Sequence, residues 1–582
     1  MRSKTVNSAI LAIQLTLTLI ITLHLLRAYY YPTVHRVTLT RNFQIEFERE
    51  ALLVIQALST ILLIQSALTS KKKLILTSTL ILSLSIIYIL LNLGGIIVAL
   101  SITSAIISIK NKITSIGKAT FWTMIILSLL EIISLLYWVA LPITPINPLL
   151  GIVKLEEALY YIFTVIVPPL ILTILLVWII KPLLIEALKI VKGTLEIKIF
   201  KPTVKGKAIK LNSKIMLLYA VIISIIIAIY PYTPNINPQN KIVGVDVKHY
   251  EEYLKETEKN LGQILVVAGG SRPLLILLLY TLEKAIQISP LKIVEYSPIL
   301  LNPLLILATY QMMKQSTRNR RLSALTALLT ALGYKLTVNM YSYFLANMLA
   351  LALTYLAIGF LISALREKNM GKLIISITFM SLTIFTHPWT FTQYYASIAL
   401  LTVMKILEKI KIEAKDKNQI KMLITFLAIT GIINILKGNL IGGTEGIKAT
   451  KTVTNQSVID NLLSFWHNNI FAFRLLYGGY LSNIPITILA LIGAYKLKPK
   501  NIASKTMISL LTTTSIAYAL SNGTLQSRLT FNLPLETLSA IGLLYVIDKM
   551  IREKRMKKIA LILILTSLHT YTFRALANLI AD

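Results

Sequence analysis

From end to end this chain repeats one pattern, an apolar run of about twenty residues followed by a short polar loop, and each run could cross a roughly 30 Å hydrocarbon core. Backbone N–H and C=O groups in hydrocarbon must find partners within the chain, so such runs can only be helices. Composition agrees. Of 582 residues, 55% are hydrophobic and 14% are charged, where a soluble domain carries about 25% charged residues. The mean hydropathy is +0.72. The expected fold class is an all-α polytopic membrane protein with about 17 transmembrane helices.

A net charge of +34 would suit a protein that binds phosphate backbones. Here most of the 59 Lys and Arg residues sit in short loops between apolar runs, in the loops expected on the cytoplasmic side of the spans. That is the signature of a membrane topology with the basic loops inside, and it speaks against a nucleic-acid partner. It places the N-terminus in the cytoplasm and the C-terminus outside, as expected of a multi-pass protein of the plasma membrane. The chain has no cysteine, so disulfides and thiolate sites are excluded, and its six His form no HExxH. The first run, Ile10–Leu26, follows Arg2 and Lys4 and precedes no small-residue cleavage site, which reads as an uncleaved first span.

Six spans are expected over residues 1–180, near 8–27, 50–69, 73–91, 93–109, 119–140 and 157–180. Segment 181–213 follows as a basic cytoplasmic linker carrying Pro202 and Gly206. A second module, 214–582, opens with a span at 214–231 and an outer loop at 232–297. That loop holds GVDVKHYEEYLKETEKN and then GSRPLLILLLYTLEKAIQI. If residues 270–288 crossed the membrane, Lys314, Arg318, Arg320 and Arg321 would fall outside and every later basic loop would be inverted. The segment is therefore expected to lie along the outer interface. Spans follow near 297–313, 322–338, 344–365, 372–387, 392–406, 421–437, 480–496, 505–521, 531–549 and 559–577. A second outer loop, 438–479, holds Asp460, Trp466, His467 and Arg474. The sequons at Asn455 and Asn522 both fall outside.

Asp246 stands just beyond a span, with His249 and Tyr250 one helical turn on, a spacing that puts the three on one helix face. A carboxylate there suits a general base on an acceptor hydroxyl or a cation ligand, and equally a helix N-cap. Arg272 at the head of the interfacial helix suits a lipid phosphate, which a guanidinium matches bidentately, or an interfacial anchor. Arg528, where an outer loop enters a span, suits the same ligand or snorkelling towards headgroups. The outer-edge cluster Lys335, Asn339, Tyr341 and Tyr343 fits an aromatic belt, as does Trp389 beside His387. Glu131 is the acidic residue well inside an N-terminal span.

The stretch from about Lys214 to Ile580 resembles a GT-C membrane glycosyltransferase, the superfamily of protein O-mannosyltransferases and oligosaccharyltransferase catalytic subunits, in its archaeal form. The resemblance rests on the order of span, Asp246 and interfacial helix, on RPLLILLLY, SPILLNPLLILATYQ, RLSALTALLTALGY and YSYFLANMLALALTYLAIG, and on the late RLTFNLPLETLSAIGLLYV. It implies a catalytic base at Asp246, and Arg272 and Arg528 as ligands of a polyprenyl (dolichyl) phosphate sugar. His249, Tyr250 and His387 would line the site, and an acceptor hydroxyl would attack the anomeric carbon with inversion. The partners implied are that lipid-linked sugar and the surrounding membrane lipids. The loop holds no Asp-x-Asp or Asp-Glu pair, only Asp246 followed by Lys248, which argues against a divalent metal as cofactor and leaves the metal set at none. No large domain after the last span is expected, which argues against an oligosaccharyltransferase. Two rivals stand beside this reading: a transporter or lipid flippase, and an inactive GT-C-like scaffold of an envelope complex.

Overall fold

The computed structural model describes residues 212–411, 417–442, 484–550 and 554–577, except Asn235 and Lys500, with a few isolated positions elsewhere. Apart from those isolated positions, the six expected spans before residue 181, Glu131, the linker before Asn212 and the loop from 443 to 479 lie outside the described residues. The chain divides into two compact units. One gathers Met1–Pro169, Pro182–Ile209 and Leu544–Tyr571; the other gathers Leu170–Lys181, Lys210–Leu543 and Thr572–Asp582. Every candidate residue from Asp246 to Arg528 belongs to the second.

Helices make up all the regular structure among the described residues, with no strand. In chain order the α-helices are α1 (Ser213–Ile229), α2 (Val247–Lys259), α3 (Pro273–Ile286), α4 (Pro290–Thr317), α5 (Arg320–Ala331), α6 (Tyr334–Ser342) and α7 (Leu345–Glu367). Then come α8 (Met370–Ile384), α9 (Pro388–Lys411), α10 (Lys417–Leu440), α11 (Ile484–Lys496), α12 (Ile502–Ala519), α13 (Gly523–Asn532), α14 (Leu535–Tyr545) and α15 (Lys554–Ala577). By length and composition, α4, α7, α10 and the segment Ser213–Tyr232 built on α1 could cross a membrane. The broken pair beginning at α13, bent by 53°, would make a fifth. Large apolar side chains on α1 and α10, among them Ile215, Leu218, Ile432 and Ile435, are exposed. Such surfaces suit hydrocarbon rather than water.

Two expected elements come out differently. The run 322–338 is not one helix: it breaks at Leu332–Gly333 into α5 and α6. Gly333 opens α6 where a Cβ would stand 2.8 Å from the Leu329 carbonyl, so a larger residue would force the turn to shift. The outer-edge cluster is also no interfacial belt. Tyr343 is fully buried, and Lys335 and Asn339 are 0% exposed.

Each of these residues serves the packing. Helix α4 carries Pro298 and Pro303 in its interior, and a proline leaves a carbonyl one turn earlier without its helical donor. The Tyr343 hydroxyl serves the Val294 carbonyl freed by Pro298, at 3.2 Å, and also lies 2.8 Å from that of Glu295. The Asn339 amide reaches Asn302 on α4 at 3.4 Å, and Asn302 in turn reaches the Ser224 carbonyl on α1. Helices α11 and α14 touch backbone to backbone. A Cβ on Gly493 would meet the Leu538 carbonyl at 1.9 Å, and one on Gly542 the Leu489 carbonyl at 2.0 Å.

At the turns joining α4 to α5 and α7 to α8, Glu367 pairs with Arg318 at 2.8 Å, Lys372 at 2.6 Å and Arg366 at 3.2 Å. The candidate residues cluster where these helices have their other ends.

Candidate functional site

Asp246 reaches its place through the loop after α1. The Val245 N–H donates to the Tyr341 carbonyl at 3.0 Å. Gly244, at φ +105°, lets the backbone lie flat on the Tyr343 ring. Asp246 then occupies the N-cap position of α2, yet its side chain makes no capping hydrogen bond. The capping alternative therefore fails, and the carboxylate points to other company. It stands outside the membrane-spanning helices. Burial pushes its carboxyl above the usual carboxylate range, against the opposing pull of Arg528, then Arg272, then His249.

Arg272 is held by a different set of contacts. Ala268, Gly269 and Gly270 take left-handed conformations in succession, turning the chain into Ser271 and Arg272. Gly270 lies so close to the end of α10 that a Cβ would meet the Ile441 carbonyl at 2.3 Å. Pro273 starts α3, and the N–H of Leu274 donates to the Phe385 carbonyl at the end of α8, at 3.0 Å. Helix α3 has 14 residues, about 21 Å of rise, short of the hydrocarbon thickness and in keeping with a helix that does not span. The guanidinium donates to the Tyr250 hydroxyl at 3.1 Å and lies 5.5 Å from the centre of that ring. The same hydroxyl accepts the N–H of Ala346 at 3.3 Å, pinning α2 to the start of α7.

Arg528 arrives from the far end of the sequence, on α13, with its guanidinium 3.9 Å from the centre of the Phe344 ring. His387, between α8 and α9, is buried. The Thr390 backbone N–H donates to its Nδ1 at 3.3 Å, which puts the ring proton on Nε2. The Thr390 hydroxyl bridges onward, 2.8 Å from Nδ1 and 2.6 Å from Asn347 Oδ1. The charges acting most on His387 are Arg528, Arg272 and Lys437.

Five separate stretches of chain thus bring Asp246, Arg272, His387, Lys437 and Arg528 into one electrostatic neighbourhood. Tyr250 belongs to it through Arg272. His249 is exposed, with Nδ1 3.8 Å from Glu252 on its own helix. Because Asp246 precedes the first turn of α2 and Tyr250 points into the bundle, the three do not share one face. Phe344, Asn347, Thr390 and Lys437 were not singled out from sequence. Lys437 alone carried a signal, a lysine closing an apolar run that turns out 3% exposed. No group of three or more His, Asp or Glu that could hold a metal is found among the described residues.

The arrangement offers a half-buried carboxylate facing cations, the combination needed to take a proton beside an anionic leaving group. Comparison of the chain with known protein families finds none that matches, and comparison with characterised proteins finds no relative.

Proposed function

We propose that this chain is a membrane glycosyltransferase of the GT-C type. It would move a sugar from a polyprenyl (dolichyl) phosphate to an acceptor on the outer face of the membrane. The chain would cross the plasma membrane about seventeen times, with its N-terminus in the cytoplasm and its C-terminus outside. One observation carries the reading: Asp246 shares an electrostatic neighbourhood with Arg272 and Arg528, which arrive from separate parts of the chain.

In the reaction, the Asp246 carboxylate takes the proton of the acceptor hydroxyl as its oxygen bonds to the anomeric carbon. The bond from that carbon to the phosphate oxygen breaks, and its electron pair leaves with the lipid phosphate. The phosphate gains a negative charge in that step. Arg272 and Arg528 favour the transition state over the bound donor because the charge they meet grows. His387 offers its Nε2–H as a further donor and Tyr250 orients Arg272. A carboxyl held above its usual range is also a stronger base than an exposed aspartate.

The test is transfer of sugar from polyprenyl-phosphate donors by the intact purified protein and its Asp246→Asn variant. Turnover by the wild type and its loss in the variant are expected. Wild-type binding of donor with no transfer to any acceptor would favour the scaffold reading, and movement of lipid-linked sugar between leaflets would favour the flippase.

A further inference from the structure

Helix α13, which carries Arg528, ends in a break that the rest of the fold takes trouble to stabilise. Leu533 is extended, at φ −68° and ψ 132°, and Pro534 lacks an N–H, so the carbonyls of the last turn lose their helical donors. In hydrocarbon such groups need replacement partners from the protein. The Leu533 N–H turns back to the Thr530 carbonyl at 3.1 Å and the Leu535 N–H to that of Leu533 at 2.8 Å, and four side chains complete the set. Gln393 Nε2 donates to the Leu529 carbonyl at 3.2 Å and Tyr334 Oη to that of Thr530 at 2.7 Å. Tyr394 Oη donates to the Asn532 carbonyl at 2.8 Å, and Lys335 Nζ to that of Leu533 at 2.6 Å.

Lys335 differs from the other three. Its ammonium also donates to Glu536 Oε2 at 2.6 Å, so one group grips the chain on both sides of Pro534. Lys335 is 0% exposed and Glu536 is 2% exposed. The Tyr334 ring lies 4.9 Å from the ammonium, and Gly333 admits the carboxylate, since a Cβ there would stand 3.0 Å from Glu536 Oε1. A fully enclosed ion pair is seldom a source of stability, because desolvation offsets the attraction. What it does provide is a single geometry. At its other end α13 is fixed by the Asn522 side chain, which accepts the Leu525 N–H at 3.0 Å. Gln526 adds bonds to the Tyr518 and Ser521 carbonyls, both at 3.1 Å.

We propose that Lys335 and Glu536 are a positioning pair for Arg528: by stapling the break at Leu533–Pro534 they fix the short helix that presents its guanidinium over Phe344. Neither residue touches the substrate. The proposal rests on the reading of Arg528 as a ligand of the lipid phosphate, and its test keeps the two apart.

The experiment measures binding of polyprenyl monophosphate to the full-length protein in lipid nanodiscs, with thermal stability recorded for every variant. Arg528→Ala serves as the binding reference, and Ser376→Ala, which removes a buried hydroxyl donating to the Ala357 carbonyl at 2.7 Å, as a stability reference on helices other than those of the break. Lys335→Met and Glu536→Gln are each expected to raise Kd at least about tenfold, the scale of a ligand group displaced by a fraction of an ångström or more. Lys335→Gln with Glu536→Gln, which keeps neutral hydrogen bonds across the break, should bring Kd back towards the wild-type value. Ser376→Ala should lower thermal stability and leave Kd alone. Wild-type Kd in both single variants, with binding lost in Arg528→Ala, overturns the positioning role and leaves the lipid-phosphate reading standing. A Kd that merely tracks thermal stability across all variants overturns it too. A wild-type protein that binds no polyprenyl monophosphate removes the underlying reading, and the proposal with it.

Discussion

Gly244 rests so closely on Tyr343 that a Cβ at position 244 would stand 2.2 Å from Cδ2 of the ring. Its φ of +105° is also one that side chains other than glycine's rarely adopt. Gly244→Ala therefore meets both strain and overpacking, together about 1–3 kcal/mol. Asp246 is two residues on, so sugar transfer should fall further than the loss of thermal stability alone explains. Full transfer at an unchanged Tm would show that the loop adapts and that its placement of Asp246 is not demanding.

Asp246→Asn separates catalysis from stability by sign. Burial outweighs the nearby arginines and raises the carboxyl above its ordinary 3.8. A group raised in the folded state contributes stability that is fully present below the unfolded pKa and is lost as pH rises through the folded pKa. At neutral pH the ionised carboxylate is thus a burden, and the variant should be as thermally stable as the wild type or more so. Turnover should drop by about 10²–10⁴-fold. The wild-type rate should decline on acidification at a higher pH than an exposed aspartate would give. A variant both unstable and inactive would point to a structural role instead.

Arg272→Ala and Arg528→Ala should each weaken use of the lipid-phosphate donor by about 1.5–3 kcal/mol, roughly ten- to a hundredfold in kcat/KM. Arg528→Lys keeps the charge but loses the flat face that lies 3.9 Å from the Phe344 ring centre. It should fall between wild type and alanine. Donor kinetics unchanged in both alanine variants would return these residues to anchoring at the membrane surface.

Gly493→Ala or Gly542→Ala should separate α11 from α14, since each added Cβ would lie at or under 2.0 Å from a backbone carbonyl that cannot turn aside. Overpacking of this kind costs about 1–3 kcal/mol or more. The double variant should cost less than the sum, because the first methyl already parts the helices. Strict additivity in thermal unfolding would mean that the two contacts are independent.

The sequence contains no cysteine, so single-cysteine labelling can map topology directly. Cysteines at 246 and 522 should react with an impermeant reagent from outside, and cysteines at 320 and 411 only from inside. Reactivity at 320 from outside would mean that α3 spans the membrane, and the assignment of the site to the outer face would fail.

Sequence periodicity alone was enough to read helices, because an apolar run of about twenty residues has one way to satisfy its backbone in hydrocarbon. Position relative to the expected membrane also picked out Asp246, Arg272, His387 and Arg528. The sequence could not say that these four meet, since they lie on elements far apart in the chain and only packing joins them. It also misread Lys335 and Tyr343 as interfacial. A lysine and a tyrosine at the end of an apolar run look the same whether they snorkel or turn inward. The choice depends on what waits inside, here the carboxylate of Glu536, the Leu533 carbonyl at the break and the Val294 carbonyl freed by Pro298. Those partners belong to other helices, and local propensity holds no record of them. The helical runs follow from each segment's own chemistry; the staple that Lys335 forms across the break at Leu533–Pro534 follows only from the tertiary fold.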